Sequence, residues 1–457
     1  MTKISVYMPN HNYGLYIERA IDSIMNQTID NWELIIIDDG STDNSISLIK
    51  KYKNNPKIKI IFQENKGLNI TNNVAIRLAR GDYIVRVDAD DYVDENFLLV
   101  LSNILDQNPE VGLVYPDYYC VNTKDQIIDT IRRQKIDKEV QLLDLPAHGA
   151  CTMFRKDVLL NLGSYNEEFS CQDGYDIWIR FIEKYKPYNV NIPLFYYRQH
   201  NASLTRNEHK ILDTRRDINK LFVNKNGGIK GKVYAFIPVL MSSIYHQNRP
   251  FVKLAGKPLI WYTLNQAQKT DYFDGIILST EDKEVINYSK EHFPKIKAIL
   301  RKTDDKSLES DFPSIILDAL DRLKINDLSD QDSFCIMGIS TPLREAKHIE
   351  HAINAMEIFK VDTILSIQEE FAPFYKHDKF GLKPINSISE GEPRLERDAI
   401  FKGNGSIVLT RFGNIKKGFL HGKKIGHITM LPEESIKLNS NYEYWLAEKL
   451  IEKKLKG

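Results

Sequence analysis

The sequence predicts an α/β protein of two domains with similar plan, and three observations carry that expectation. Apolar strand-like runs alternate with helix-period segments from the first residues onward. At 457 residues the chain exceeds one ordinary hydrophobic core. A polar, basic stretch over 201–230 finishes in Asn224-Lys225-Asn226-Gly227-Gly228, the composition of a linker following a helix, before a second strand–helix series opens at Val233. The expected division is 1–225 and 226–457.

Residues 4–8 read as a buried strand, and Ile17, Ala20, Ile21, Ile24 and Met25 recur at helical spacing. An apolar run over 32–37 stops at Asp38-Asp39-Gly40, after which Ser41, Thr42 and Asp43 are candidate N-caps for a helix ending near Lys53. Residues 57–62 supply a third strand. A helix over 69–80 stops at Gly81, a natural C′ residue, and 83–87 form a fourth strand running into Asp88. That order implies a parallel sheet with helices on both faces. In the second half, strands are expected at 233–238, 275–279, 334–337 and 363–367.

Acidic and basic residues balance at 62 each, so nothing marks a nucleic-acid surface or a broad attraction to anionic lipid. An anionic ligand must be held by local groups. No apolar run approaches the ~20 residues of a membrane span, so no transmembrane segment is expected, nor is a signal peptide. Cys120, Cys151, Cys171 and Cys335 lack CxxC spacing, which argues against a zinc cluster or a disulfide framework. A cytoplasmic location fits, free or peripheral to the inner face of the membrane.

Ligands of open α/β sheets collect beyond the carboxyl ends of the strands. Asp38-Asp39 closes the second expected strand, and Asp88-Ala89-Asp90-Asp91 closes the fourth. Alternate carboxylates of an Asp-x-Asp supply the hard oxygens wanted by a divalent cation carrying a diphosphate. One such run by itself is usually a solvated turn; two acidic clusters at strand ends favour a site.

Residues 1 to about 205 resemble family 2 glycosyltransferases of the GT-A fold. The matching blocks are Pro9-Asn10-His11-Asn12, Ser23 with Gln27, Trp32-Glu33-Leu34-Ile35-Ile36-Ile37-Asp38-Asp39-Gly40-Ser41-Thr42-Asp43, Asn65-Lys66-Gly67 with Ala75, and Gly81-Asp82-Tyr83-Ile84 leading to the second acidic cluster. The resemblance implies inverting transfer from a nucleotide-sugar donor, UDP-linked by first choice, to a glycan or protein acceptor. It places Pro9, His11, Asn12, Asp38, Asp39, Asn65 and Asp88 around the donor, with Asp38 or Asp39 on the base and His11 beside it. It gives Asp90, with Asp88, to a Mn or Mg ion. Tyr197-Arg198-Gln199-His200 followed by Ser203 resembles the motif whose histidine approaches that metal or the diphosphate, although read alone His200 is an ordinary surface histidine.

Cys171-Gln172-Asp173-Gly174-Tyr175-Asp176-Ile177-Trp178 resembles the family's acidic motif at a helix start. Asp173 is the preferred base and Asp176 the second candidate, while a plain helix-capping role for Asp173 is the alternative. Gln172 and the Gly174 spacing depart from the more usual Glu-Asp. A further departure is Asn72, where many relatives carry Arg. His148-Gly149 and Arg155 are expected on the acceptor side.

From Gly231 onward the chain resembles cytidylyltransferases of the CMP-sialic acid synthetase family. The matches include Leu254-Ala255-Gly256-Lys257-Pro258-Leu259-Ile260, Ser279-Thr280-Glu281-Asp282, Ser340-Thr341-Pro342-Leu343-Arg344 with His348-Ile349, and Asn404-Gly405-Ser406-Ile407. Both halves are thereby expected to be Rossmann-like nucleotide-binding folds. Two groups are missing. In the loop after the first strand, Leu240 and Ile244 stand where the family has Arg and Lys, and Ser435-Ile436-Lys437-Leu438-Asn439 replaces a metal-binding pair of aspartates. The second half is accordingly expected to be catalytically degenerate and kept for dimerisation, acceptor binding or regulation, with a homodimer through 369–392. The alternatives are a bifunctional transferase and CMP-sugar synthetase, and a non-enzymatic binding protein.

Overall fold

The computed structural model describes residues 2–133, 149–200, 208–239, 249–301, 312–370, 372–385 and 400–456. They divide into two compact units, the first up to Arg215 and the second from Arg216.

The first unit opens with β1 (Ile4–Asn10), α1 (Ile17–Met25), β2 (Trp32–Asp39), α2 (Ser45–Ile49), β3 (Ile58–Gln63), α3 (Leu68–Leu78) and β4 (Tyr83–Arg86). These strands lie parallel in the order β3-β2-β1-β4. Asn10 pairs with Asp38, and Asp39 with Gln63, so the carboxyl ends finish level with one another. The two-residue period of β1 and β2 builds two cores. Ile4, Val6, Met8, Leu34 and Ile36 face one with α1, while Tyr7, Ile35 and Ile37 face the other with α3. Of the expected apolar stripe of α1, Ile17, Ala20, Ile21 and Ile24 are buried, whereas Met25, the last helical residue, is exposed.

The unit continues through β5 (Tyr92–Val93), α4 (Phe97–Gln107), β6 (Val111–Val121), β7 (Ile127–Ile131), β8 (Met153–Arg155), α5 (Lys156–Asn161), α6 (Asp173–Phe181), β9 (Lys186–Arg198) and the start of α7 (Glu208–Lys225). Here the expected all-parallel sheet gives way to a mixed one. β8 joins β4 antiparallel, β6 lies antiparallel to β8, β9 is parallel to β6, and β5 closes the edge antiparallel to β9. β8 has three residues, too few for alternation to show in sequence. The polar stretch over 201–230 contains the 18-residue helix α7, which ends at Lys225, so Asn226-Gly227-Gly228 follows a helix as expected.

The second unit contains β10 (Val233–Val239), the pair β11 (Lys253–Leu254) and β12 (Lys257–Pro258), α8 (Leu259–Gln268), β13 (Gly275–Thr280), α9 (Lys283–His292), β14 (Lys297–Leu300), α10 (Phe312–Leu323), β15 (Ser333–Ile336), α11 (Ala346–Phe359), β16 (Thr363–Glu370), the hairpin β17 (Tyr375–His377) and β18 (Leu382–Pro384), β19 (Ile400–Arg411), α12 (Phe412–Ile415), β20 (Ile425–Thr429) and α13 (Asn441–Lys456). Its sheet runs β14-β13-β10-β15-β19-β16-β20. The first four strands are parallel, and β19 is inserted antiparallel between β15 and β16.

Candidate functional site

At the ends of β1 and β2 the acidic pair organises its own loops. Asp38 accepts from Asn10 Nδ2 at 2.7 Å and from the Ser41 amide at 3.0 Å. Asp39 accepts from Gln63 Nε2 at 2.7 Å and from the amides of Lys66 and Gly67 at 2.9 and 2.8 Å. Both carboxylates are buried, and charge-assisted bonds of this kind fix a loop firmly. Gly40 between them and Ser41 has φ +73°, and a Cβ there would sit 2.7 Å from the Asn65 amide nitrogen. No other residue type fits without moving that loop.

His11 Nδ1 lies 2.9 Å from the Asp39 carbonyl oxygen, and Asn65 Nδ2 lies 3.3 Å from His11 Nε2. Asn12, at φ 63°, accepts from the Thr42 amide at 2.7 Å. Pro9 is buried in β1 opposite Ile37. The donor-side residues expected from the sequence thus gather in one loop cluster, Asp88 excepted, which stands at the end of β4.

There, oxygens of Asp88, Asp90 and Asp91 lie within 4.8 Å of one another. A turn closed by the Asp91 amide on the Asp88 carbonyl at 3.1 Å brings the first and last together. Burial pushes Asp88 up to about 6; Arg86 opposes the rise, and Asp90 and Asp173 add to it. Burial, then Asp90 and Asp88, drive Asp91 well above the ordinary carboxylate range. Carboxylates that crowd and repel in this way form the hard-oxygen donor set that a divalent cation takes, so the residues fit Mn or Mg. Asp91 belongs to the acidic cluster that the sequence marks but is not among the ligands the resemblance implies; the Asp-Ala-Asp-Asp run is the signal for it.

β9 delivers the histidine. The Arg198 amide donates to Asp91 Oδ1 at 2.9 Å and Arg198 Nε to the Asp90 carbonyl at 2.8 Å. His200 Nε2 is then 2.8 Å from Asp90 Oδ2, with its ring stacked on Tyr16 and edge-on to Tyr13. Tyr13 is itself held neutral, by burial first and then by the charges of Asp90, Asp88 and Asp91. Ser203 lies outside the described residues.

The two base candidates part company. Asp173 begins α6 and pairs through Oδ2 with Nη1 of the buried Arg86, whose Nε lies 2.9 Å from Asp88 Oδ1. No hydrogen bond to Asp173 Oδ1 occurs among the described residues. Asp176, one turn on, bonds Arg180, which also donates to the Ser164 carbonyl at 2.9 Å. Its carboxylate therefore braces α6 against the preceding turn. Sequence does not mark Arg86, because an Arg within an apolar strand gives no local sign of its partners. On the expected acceptor side, Gly149 lies against Arg86 and Asp173, Arg155 Nε donates to the Val111 carbonyl at 2.8 Å, and His148 lies outside the described residues. Asn72 is fully buried, and no hydrogen bond to its side-chain amide occurs among the described residues.

In the second unit, Arg344 is buried and spends its guanidinium on Thr341 Oγ1, Thr263 Oγ1 and the Ser406 carbonyl at 2.9, 2.8 and 2.7 Å. Burial lowers it to about 10. Asn404 Nδ2 donates to Ser435 Oγ at 3.0 Å. The Lys437 ammonium lies 3.6 Å from where a Cβ on Gly405 would stand. Residues 240–246 of the expected phosphate loop lie outside the described residues.

Residues 5–163 match the family model described as Glycosyl transferase family 2, and 237–371 the model described as Cytidylyltransferase. A chondroitin synthase of Escherichia coli is 29% identical over 181 residues, 39% of this chain and 26% of that protein. A chondroitin synthase of Pasteurella multocida is 31% identical over 191 residues, 41% of this chain and 20% of that protein. Glycosyltransferase GlyG of Streptococcus pneumoniae serotype 4 is 30% identical over 240 residues, 49% of this chain and 79% of that protein. The chain thus spans about a fifth to a quarter of the length of the synthases it matches.

Proposed function

Since the chain belongs to glycosyl transferase family 2, we propose that residues 1–225 form an inverting, metal-dependent glycosyltransferase domain that moves a sugar from a nucleotide-sugar donor to a surface-glycan or protein-linked acceptor. The observation that carries this reading is the meeting, at one sheet end, of the Asp88, Asp90 and Asp91 cluster with Asp173, through Arg86.

In this reading the donor's base lies against Asp38 or Asp39 with Pro9, His11, Asn12 and Asn65 around it. Asp88, Asp90 and His200 hold the Mn or Mg ion, with Asp91 as an added ligand. When bound, that ion supplies positive charge against the departing diphosphate. Asp173 acts as base: Arg86 occupies its Oδ2, which leaves Oδ1 to accept the acceptor hydroxyl's proton. Asp176, tied to Arg180, is the weaker candidate. UDP-linked donors are the first choice, on the family resemblance. Donor hydrolysis across UDP-, GDP-, dTDP- and CMP-sugars with and without Mn or Mg tests the reading; no metal-dependent turnover of any donor overturns it.

For residues 226–457 we propose a degenerate cytidylyltransferase that serves dimerisation, acceptor binding or regulation. Lys437 puts an ammonium beside Gly405, where the resemblance calls for metal-binding carboxylates. The β17–β18 hairpin exposes Phe380 (97%) and Leu382 (69%), an apolar surface suited to a second copy of the chain. The match to the cytidylyltransferase model keeps a bifunctional enzyme as the second reading. Among the described residues no helix is long and apolar enough to cross a membrane, in keeping with a proposed cytoplasmic site of action, free or peripheral to the inner membrane face.

A further inference from the structure

We propose that Arg86 is a positioning residue for transfer, a guanidinium clamp that holds Asp173 in register with Asp88. The inference rests on the reading of Asp173 as base.

β4 places Arg86 opposite Tyr7, with its side chain only 6% exposed. Nη1 donates to Asp173 Oδ2, Nε lies 2.9 Å from Asp88 Oδ1, and Nη2 lies 3.4 Å from Asp88 Oδ2. One planar group thereby spans two carboxylates 85 residues apart in sequence. The backbone closes around it. The Cys151 amide donates to the Arg86 carbonyl at 2.7 Å, and a Cβ on Gly149 would come within 3.0 Å of Nη2 and 3.4 Å of Asp173 Oδ2. The guanidinium consequently has little room to swing away from either partner.

Burying a guanidinium is costly unless its charge is matched, and here two carboxylates match it. The fork geometry matters as much as the charge, because a lysine ammonium is a point donor on a flexible stem and does not engage both carboxylates in a fixed plane. Two consequences follow for transfer. Asp173 keeps Oδ2 pinned while Oδ1 takes no hydrogen bond among the described residues, and its distance from the acidic cluster is set by a rigid group. Loss of such alignment costs about 10²-fold in rate for an error near 1 Å.

A double-mutant cycle on the full chain tests this, reading kcat for transfer and, separately, nucleotide affinity in Mn. Arg86→Met is expected to lower kcat about 10²-fold while nucleotide affinity changes by less than about threefold, with partial recovery of kcat in Arg86→Lys. In an Asp173→Asn background, Arg86→Met should add no further loss. Gly149→Ala, which displaces the guanidinium and keeps its charge, should reproduce the pattern if Arg86→Met fails to fold. An undiminished Arg86 effect in the Asp173→Asn background, or equal losses in affinity and kcat, overturns the clamp. Unchanged kcat in Asp173→Asn alone removes the base assignment, and the clamp with it, which is a different and recognisable result.

Discussion

His200 Nε2 lies 2.8 Å from Asp90 Oδ2, two side chains 110 residues apart brought together at the carboxyl end of the sheet. The contact exists because β9 and the acidic turn are stitched by the Arg198 amide and guanidinium. A histidine distant in sequence thus comes to lie against one carboxylate of the acidic turn that follows β4.

Asp90→Asn should abolish Mn-dependent nucleotide binding and leave the fold intact, since it removes one anionic oxygen from a half-buried cluster. His200→Ala should weaken the same binding by a smaller factor, about 10–100-fold, as expected for a group that orients or assists a ligand. Calorimetric titration of nucleotide with and without Mn reads both; unchanged affinity in Asp90→Asn excludes it as a ligand.

Asp173→Asn should retain donor binding and lose about 10²-fold or more in transfer, the scale of a missing general base. Asp176→Asn should instead show itself in stability, because its carboxylate bonds Arg180. The pair is separated by measuring transfer and urea unfolding on each variant.

Asp88 gives a pH signature. Its carboxyl is raised from 3.8 to about 6 in the folded chain, so the protonated form favours folding. That contribution is complete below 3.8 and is lost as pH rises through about 6. Without added metal, melting temperature should therefore fall between about pH 4 and about pH 6.5 more steeply than in Asp88→Asn. Added Mn should reverse the fall, since the cation takes the ionised carboxylate. Thermal melts of both proteins with and without Mn provide the check.

Gly40→Ala should destabilise the first unit by about 1–3 kcal/mol, because its φ of +73° and the Asn65 amide 2.7 Å from a Cβ leave no strain-free place for one. Donor affinity should weaken with it, as the loop holding His11 and Asn65 shifts. Urea unfolding and nucleotide titration on the one variant test both halves of the expectation.

Incubated with CTP, Mg and a panel of acidic nine-carbon sugars, the full chain should release no pyrophosphate beside an active synthetase as control. Light scattering should give a dimer mass, weakened by Phe380→Asp on the exposed hairpin. Robust CMP-sugar formation would establish the bifunctional reading, and a strictly monomeric chain would remove dimerisation as the reason for the second domain.

Much of this protein is local, and local patterns were legible in the sequence. The two-residue alternation of β1 and β2, the helical stripe of α1 and the acidic runs closing β2 and β4 each express a short-range period or a strand end, which neighbouring residues impose on one another. The division of labour between carboxylates was not of that kind. Asp173 and Asp176 sit one helical turn apart and look equivalent in sequence, yet Arg86 from a distant strand takes the first and Arg180 from the same helix takes the second. Likewise the sheet's turn from parallel to mixed depends on β8, three residues whose direction is set by their pairing with β4 and β6. Sequence alone determined the strand–helix plan of each half and the acidic ends of its strands. Tertiary structure alone decided which charges meet, because Coulomb attraction, burial and hydrogen bonding act through space between groups that the chain holds far apart.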